Sequence, residues 1–283
     1  MEPQFNGRSG CLYLVATPIG NLEDITLRAL RVLREVDWIA CEDTRQTRKL
    51  LEHFGIAKRM MSYYEHNEAA RAAELVERMM TGVSVALVTD AGTPLVSDPG
   101  YRLVQAAIVA SIRVVPVPGP SAAVGALSAA GLPTDAFRFC GFLPPKSSQR
   151  RKTLEQLKPE TGTLIFYETP HRILEALEDV SAVMGSRPVV VARELTKLHE
   201  EFLRGTAAEV RAELATRPSV KGEITLLIGK SEALEVDDTP LEEAVRAAEK
   251  EGLPRMEAIK HVARQRGLSK REVYRLIAGD GAR

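Results

Sequence analysis

Three cysteines in 283 residues are too few and too scattered for a disulfide framework. Cys11, Cys41 and Cys140 each sit in an apolar stretch and form no CxxC pair. Buried thiols in a reducing cytoplasm fit them better than a metal site does, and no other ligand spacing suggests a metal. No apolar run reaches the ~18–20 residues of a membrane span. Positions 1–10 are polar and lack the apolar core of a secretion signal. Neither charge sign is in excess: 38 Lys and Arg face 38 Asp and Glu, so a globally basic nucleic-acid binder is not indicated. A GxGxxG fingerprint is absent, which removes the usual nicotinamide fold signal.

What is present is an ordinary globular composition, 45% hydrophobic and 27% charged. At ~100–200 residues per domain the length suggests two domains. The first half alternates short apolar runs with amphipathic ones. Strands are predicted at 11–17, 38–41, 83–89 and 112–117, with helices at 27–36, 45–54, 69–80 and 101–110. Alternation of this kind implies a mostly parallel sheet covered on both faces. After the proline-rich stretch 116–120 the texture changes. A helix rich in Ala, Ser and Gly is predicted at 121–130, then strands at 137–142, 163–167, 189–193, 201–204 and 223–228, with helices at 172–183 and 207–215. The boundaries expected are 1–117 and 118–232 for two α/β lobes, then a polar linker and a small helical module over 239–283. Thr239, Pro240 and Glu242 have the order of a helix start there.

Six segments could carry chemistry. Residues 17–24 leave the first strand where open α/β sheets place ligands, although a plain strand-to-helix turn looks the same. Residues 89–100 follow the strongest strand. Asp98 and Pro99 read as a helix N-cap and first turn, whereas the small residues from Asp90 to Pro94 leave room for a ligand. Residues 117–122 join the lobes, as a stiff hinge or as one wall of a small-molecule cleft. Glu168 and His171 close a strand end. Glu42, Asp43 and Arg45 close another, where an internal Asp–Arg ion pair would account for the pattern equally well. Between 138 and 158 stand six basic residues and one acidic, among them Lys146, Arg150, Arg151 and Lys152. That local charge suits a phosphate-rich partner, and a solvated basic helix face fits it too.

In the C-terminal module Ala263, Gly267 and Val273 have helix-turn-helix spacing. Ser269 and Glu272 form a capping box for the second helix. That helix would expose Lys270, Arg271, Tyr274 and Arg275, so it reads as a packing unit or as a nucleic-acid contact.

Taken together, the ordered segments LYLVATPIGNLEDIT, ACEDTR, VTDAGTPLVSDPG, VPGPSA, GFLPPK, FYETPHR, ARELTK and KGEITLLI resemble the ribosomal RNA small subunit methyltransferase I family, within the tetrapyrrole methylases. The resemblance spans 12–228 and extends to the C-terminal module. It implies two α/β lobes with a cofactor cleft between them, a homodimer, and S-adenosylmethionine as methyl donor. The implied acceptor is the 2′-hydroxyl of a cytidine in small-subunit rRNA, within the assembled 30S subunit. Its cofactor contacts carry over to Gly92 and Thr93 (which stands where the tetrapyrrole branch has aspartate), Val96, Ser121, Ala122, Tyr167, Ala192 and Glu223, with Ile19 and Gly20 at the end of the first loop.

A ribose hydroxyl is a weak nucleophile, so a base or a nearby cation would help it. The candidates by loop position and charge are Asp24, Glu42, Asp43, Glu168 and Lys146. Asp43 is expected as the base, Glu168 as a further catalytic residue, and Lys146 as the group that orients the RNA. Arg150, Arg151, Lys152, Lys270, Arg271 and Arg275 are expected to contact RNA. Two other readings compete: a small-molecule methylase of the tetrapyrrole kind, and a non-enzymatic nucleic-acid-binding regulator.

Overall fold

A computed structural model describes residues 10–231, 239–250, 252–265 and 268–279. They form two compact units, one of residues up to 158 plus 162–229, the other of 159–161 and the chain from 230 on.

The first unit contains two five-stranded sheets. Strands β1 (Cys11–Val15), β2 (Trp38–Cys41), β3 (Arg59–Ser62), β4 (Val85–Val88) and β5 (Arg113–Val117) lie in the order β3-β2-β4-β1-β5, all parallel. Helices α1 (Leu27–Glu35) and α2 (Thr44–His53) pack Ala29, Val32, Leu33 and Leu51 on one face of this sheet. Helices α3 (Glu68–Met80) and α4 (Tyr101–Val109) pack Ala72, Leu75, Met79, Leu103 and Ala107 on the other. Both faces being covered explains why β4 is buried at every position and reads as an unbroken apolar run. The chain leaves β1 toward β2 and leaves β4 toward β5, in opposite directions. A crevice opens between those two strand ends, where doubly wound sheets bind ligands.

The second sheet has the order β6-β7-β10-β8-β9: β6 (Phe137–Phe142), β7 (Thr163–Glu168), β10 (Ile224–Ile228), β8 (Pro188–Arg193) and β9 (Glu201–Thr206). Only β6 and β7 run parallel; the remaining pairs are antiparallel. Helix α5 (Ala122–Ala130) lies on one face, where Ala123, Ala126 and Ala130 meet Ile165, Val190, Ala192 and Leu227. Its small side chains allow that close approach. Arg204 donates to the Ala129 and Ala130 carbonyls at 2.7 and 3.0 Å, satisfying the helix end. Helices α6 (Ser147–Leu157), α7 (Ile173–Met184) and α8 (Ala207–Ala215) cover the opposite face.

In the second unit α9 (Leu241–Lys250), α10 (Arg255–Gln265) and α11 (Lys270–Gly279) share a small core of Val245, Ala248, Ala258, Ile259, Val262, Ala263 and Val273. The Ser269–Glu272 box forms: the Glu272 amide donates to Ser269 Oγ and the Ser269 amide to Glu272 Oε2, at 3.2 and 2.8 Å. Lys270, Arg271 and Arg275 are exposed on α11. Gly267 lies outside the described residues.

Three elements differ from the sequence reading. Strand β3, RMMS, is a four-residue edge strand with no alternation to betray it. Helix α6 was hidden by its basic residues; only Leu154 and Leu157 mark its apolar side. Asp98 does not cap α4. That helix starts at Tyr101 after Gly100, whose φ of 140° and crowding by Leu87 and Leu95 leave no room for a Cβ.

Candidate functional site

The loops at the crevice are tied together by backbone. Thr17 and Gly92 exchange two hydrogen bonds of 2.9 and 3.0 Å, and Thr17 Oγ1 donates to the Thr89 carbonyl at 3.0 Å. Thr93 Oγ1 donates to the Pro120 carbonyl at 3.1 Å, joining the loop after β4 to the segment that leads into the second sheet. Leu95 and Ser97 hold positive φ (72° and 66°), a strained conformation that side-chain residues keep mainly at ligand loops.

A cavity of about 370 Å³ opens between the two sheets. Ile19, Gly92, Thr93 and Val96 line it from the first sheet's loops, Ser121 and Ala122 from the start of α5, and Tyr167 and Glu223 from the second sheet. The sequence thus placed eight of its cofactor residues on one surface. The wall is mostly apolar, with Phe142 and Phe139 packed against Tyr167 at 5.8 and 4.9 Å. Burial raises the Tyr167 hydroxyl above its ordinary pKa. A cavity of that size and polarity suits a compact aromatic-bearing ligand of nucleoside type.

A second cavity of about 460 Å³ adjoins it and shares Ile19, Ala91 and Glu223. Its wall is more polar: Thr17, Gln46, Lys49, Asp90 and Lys197. Gly20 belongs to this chamber, not the first. A Cβ at Gly20 would lie 2.5 Å from Lys197 Cγ, so only glycine lets Lys197 cross here. Lys197 then bridges Glu194 and Glu223, each at 2.9 Å.

Several expected residues are placed elsewhere. Ala192 is wholly buried beneath α5 and lines neither chamber; its register partner Thr225 lines the first one instead. Glu168 belongs to the cleft wall, but its side chain is fully buried: Oε1 accepts from Arg172 and the Thr169 amide, and Oε2 has no partner. Asp43 caps α2 and holds Arg45 at 2.8 Å, the ion pair that competed with the catalytic reading. The Arg45 guanidinium and amide pull the Asp43 carboxyl down to about 2, which makes it a poor proton acceptor. Arg150 is only 1% exposed and donates to Asp179 at 2.6 Å, so it offers nothing to a phosphate. Arg151 shares Asp179 but is half exposed; Lys146 and Lys152 are exposed.

Asp98 was read from the sequence only as a cap. It lines the first chamber and is pushed up to about 7 by burial and by the charges of Glu42 and Asp90. Glu42 and Asp90 are themselves raised, chiefly by burial. Phe142, Leu195 and Thr225 also escaped the sequence reading, because their neighbourhood is created by the second sheet.

The description "Tetrapyrrole (Corrin/Porphyrin) Methylases" names the family whose model matches residues 11–211. A protein of Halalkalibacterium halodurans named ribosomal RNA small subunit methyltransferase I is 50% identical over 273 residues, 94% of each chain. The chain belongs to the ribosomal RNA small subunit methyltransferase I family, a branch of the tetrapyrrole methylases. A Haemophilus influenzae protein of the same name is 47% identical over 94% of this chain and 95% of its own. Among solved structures, the fold is shared with uroporphyrin III C-methyl transferase from Thermus thermophilus (19% identity, TM-score 0.54, 78% of this chain and 97% of that one). It is shared also with a diphthine synthase (16% identity, TM-score 0.58, 78% and 91%). Tetrapyrrole methylases take their methyl group from S-adenosylmethionine, and that is the cofactor of this methyltransferase. The first chamber fits it in size and in its mostly apolar wall, where Ile19, Gly92, Thr93, Val96, Tyr167 and Leu195 would hold it. Among the described residues no group of side chains could hold a metal ion, and no helix is long and apolar enough to cross a membrane.

Proposed function

We propose that the chain transfers a methyl group to the 2′-hydroxyl of a cytidine in small-subunit ribosomal RNA, acting on the assembled 30S subunit as a cytoplasmic homodimer. The observation that carries this is the ~50% identity along nearly the full length of relatives so named. Support comes also from the two joined chambers. The apolar one suits the methyl donor, and the polar one, with Gln46, Lys49 and Asp90, suits a nucleotide. The chain's main task is positioning, since holding a nucleophile in line with the methyl carbon accounts for much of the rate gain in such displacements. Ile19, Ala91 and Glu223 are common to both chambers, so the two cavities communicate.

In this reading the exposed Lys146 and Lys152, with half-exposed Arg151, hold the RNA backbone beside the cleft, and Lys270, Arg271 and Arg275 of α11 hold a further stretch. The test uses small subunits from cells lacking the enzyme and S-adenosylmethionine labelled in the methyl group. Label in 2′-O-methylcytidine after digestion is expected. Label in another nucleoside would remove the cytidine assignment. No label in RNA, with cofactor still bound in calorimetry, would return the chain to the small-molecule methylases.

A further inference from the structure

The methyl acceptor needs a proton acceptor, and the residues first suited to that role by sequence are unavailable: Asp43 is held by Arg45, and the Glu168 side chain is buried under Arg172. Three carboxylates line the methyl-donor chamber: Glu168 is buried with Arg172 on its Oε1, Glu223 is bound by Lys197, and Asp98 has no partner among the described residues. Asp98 follows the strained turn at Leu95 and Ser97, is half-buried, and makes no hydrogen bond or ion pair among the described residues. The groups acting on it are Glu42 from the loop after β2, Asp90 from the loop after β4, and Tyr167, the aromatic of β7 across the chamber. Among the described residues no cation pairs with it; Arg172 is held by Glu168, and Lys197 by Glu194 and Glu223.

We infer that Asp98 is the catalytic base, its carboxylate taking the proton of the ribose hydroxyl during methyl transfer. This rests on the ribose-methylation reading. In the step the hydroxyl oxygen forms a bond to the methyl carbon, and the carbon–sulfur bond breaks with its electron pair going to sulfur. The hydroxyl proton passes to Asp98. The carboxylate and the sulfonium thereby lose their charges together, which a half-buried site favours. Burial and the charges of Glu42 and Asp90 push the Asp98 carboxyl up to about 7, so its ionised form is a stronger base than an ordinary carboxylate and predominates only above neutral pH. Because the base must be ionised, the rate rises as pH increases through that value.

The experiment is single-turnover methylation of unmodified 30S subunits at saturating S-adenosylmethionine across pH 5.5 to 9 (about the range that spans the titration), with cofactor affinity measured separately by calorimetry. For Asp98→Asn the expected result is unchanged cofactor affinity, a rate lower by ~100-fold or more, and loss of the rise near neutrality. A rate within a few-fold of the parent, or a lost affinity for the cofactor, would overturn the assignment. Glu42→Gln gives an independent readout that leaves Asp98 in place. Removing that negative charge should move the midpoint of the pH profile to lower pH, and an unmoved midpoint would also overturn it. If the unaltered enzyme puts no label on ribose, the functional reading itself falls, and the base with it.

Discussion

Arg150 and Asp179 form a buried ion pair of 2.6 Å in the second sheet's helical layer, joining α6 to α7. Arg150 also donates to the Pro144 and Pro145 carbonyls, and Ser147 and Arg151 complete the shell around Asp179. Burial alone would raise the Asp179 carboxyl, but Arg151, Ser147 and Arg150 outweigh it and hold it below the ordinary range. A depressed carboxyl contributes stability that is present above its unfolded pKa and is lost as pH falls through the folded value. Unfolding by urea should therefore become easier in acid, and Asp179→Asn should flatten that dependence. Asp179→Ala strands a buried guanidinium and should cost about 3–5 kcal/mol in the same measurement.

The basic stretch divides by this pair into a structural half and an exposed half. Replacing Lys146 and Lys152 together by Ala should weaken binding to the small subunit and reduce the slope of log affinity against log salt by roughly 0.7 per lost phosphate contact. Filter binding over a salt series reads both effects. An unchanged slope would remove α6 from the RNA interface.

Glu68 fastens the loop that carries Asp98. Its Oε1 accepts from the Tyr63 hydroxyl at 3.0 Å, from the Gly100 amide at 2.9 Å and from the Arg102 amide at 3.3 Å. A carboxylate suits these otherwise unpaired amides at the start of α4. Glu68→Ala leaves them without a partner and should lower stability by about 1–3 kcal/mol, with a thermal midpoint as the readout. Cofactor affinity should fall with it, since the loosened residues 95–98 line the chamber.

Thr93 stands on the loop after β4, on the wall of the first chamber. Its hydroxyl is spent on the Pro120 carbonyl. Thr93→Val keeps the shape and removes the bond, at a cost of about 1 kcal/mol. Calorimetry should show weaker cofactor binding, because Gly92 and Ser121 are no longer held in register. Thr93→Ser should restore both.

Much of the site was legible in the chain because it is built from loops at strand ends. Gly92, Thr93, Ser121, Ala122 and Tyr167 follow apolar runs that announce their strands, and the structure gathers them on one wall. Alternation along β8 turns the Ala192 side chain beneath α5, and a single-residue choice of face cannot be read from a strand buried on both sides. Asp98 was missed for another reason. A short acidic residue before proline is a good helix-capping signal, and only Gly100 taking that role left its carboxylate unbonded.

The sequence by itself determined the alternation of strands and helices apart from β3 and α6, the parallel first sheet and the family. These follow from hydrophobic period, turn residues and ordered motifs, all of which are local. Tertiary structure decided which charges are free. Arg150 and Arg151 are neighbours with the same side chain, and Asp43 and Asp98 carry the same carboxyl. Arg150 and Arg151 both reach Asp179, but only Arg151 is half exposed; Asp43 is paired with Arg45, whereas Asp98 lines the cleft without a partner among the described residues. Asp43 is held by its near neighbour Arg45, but for Arg150 and Asp98 partner and burial are set by residues distant in the chain, because a charge's availability depends on its distance to other charges and to water.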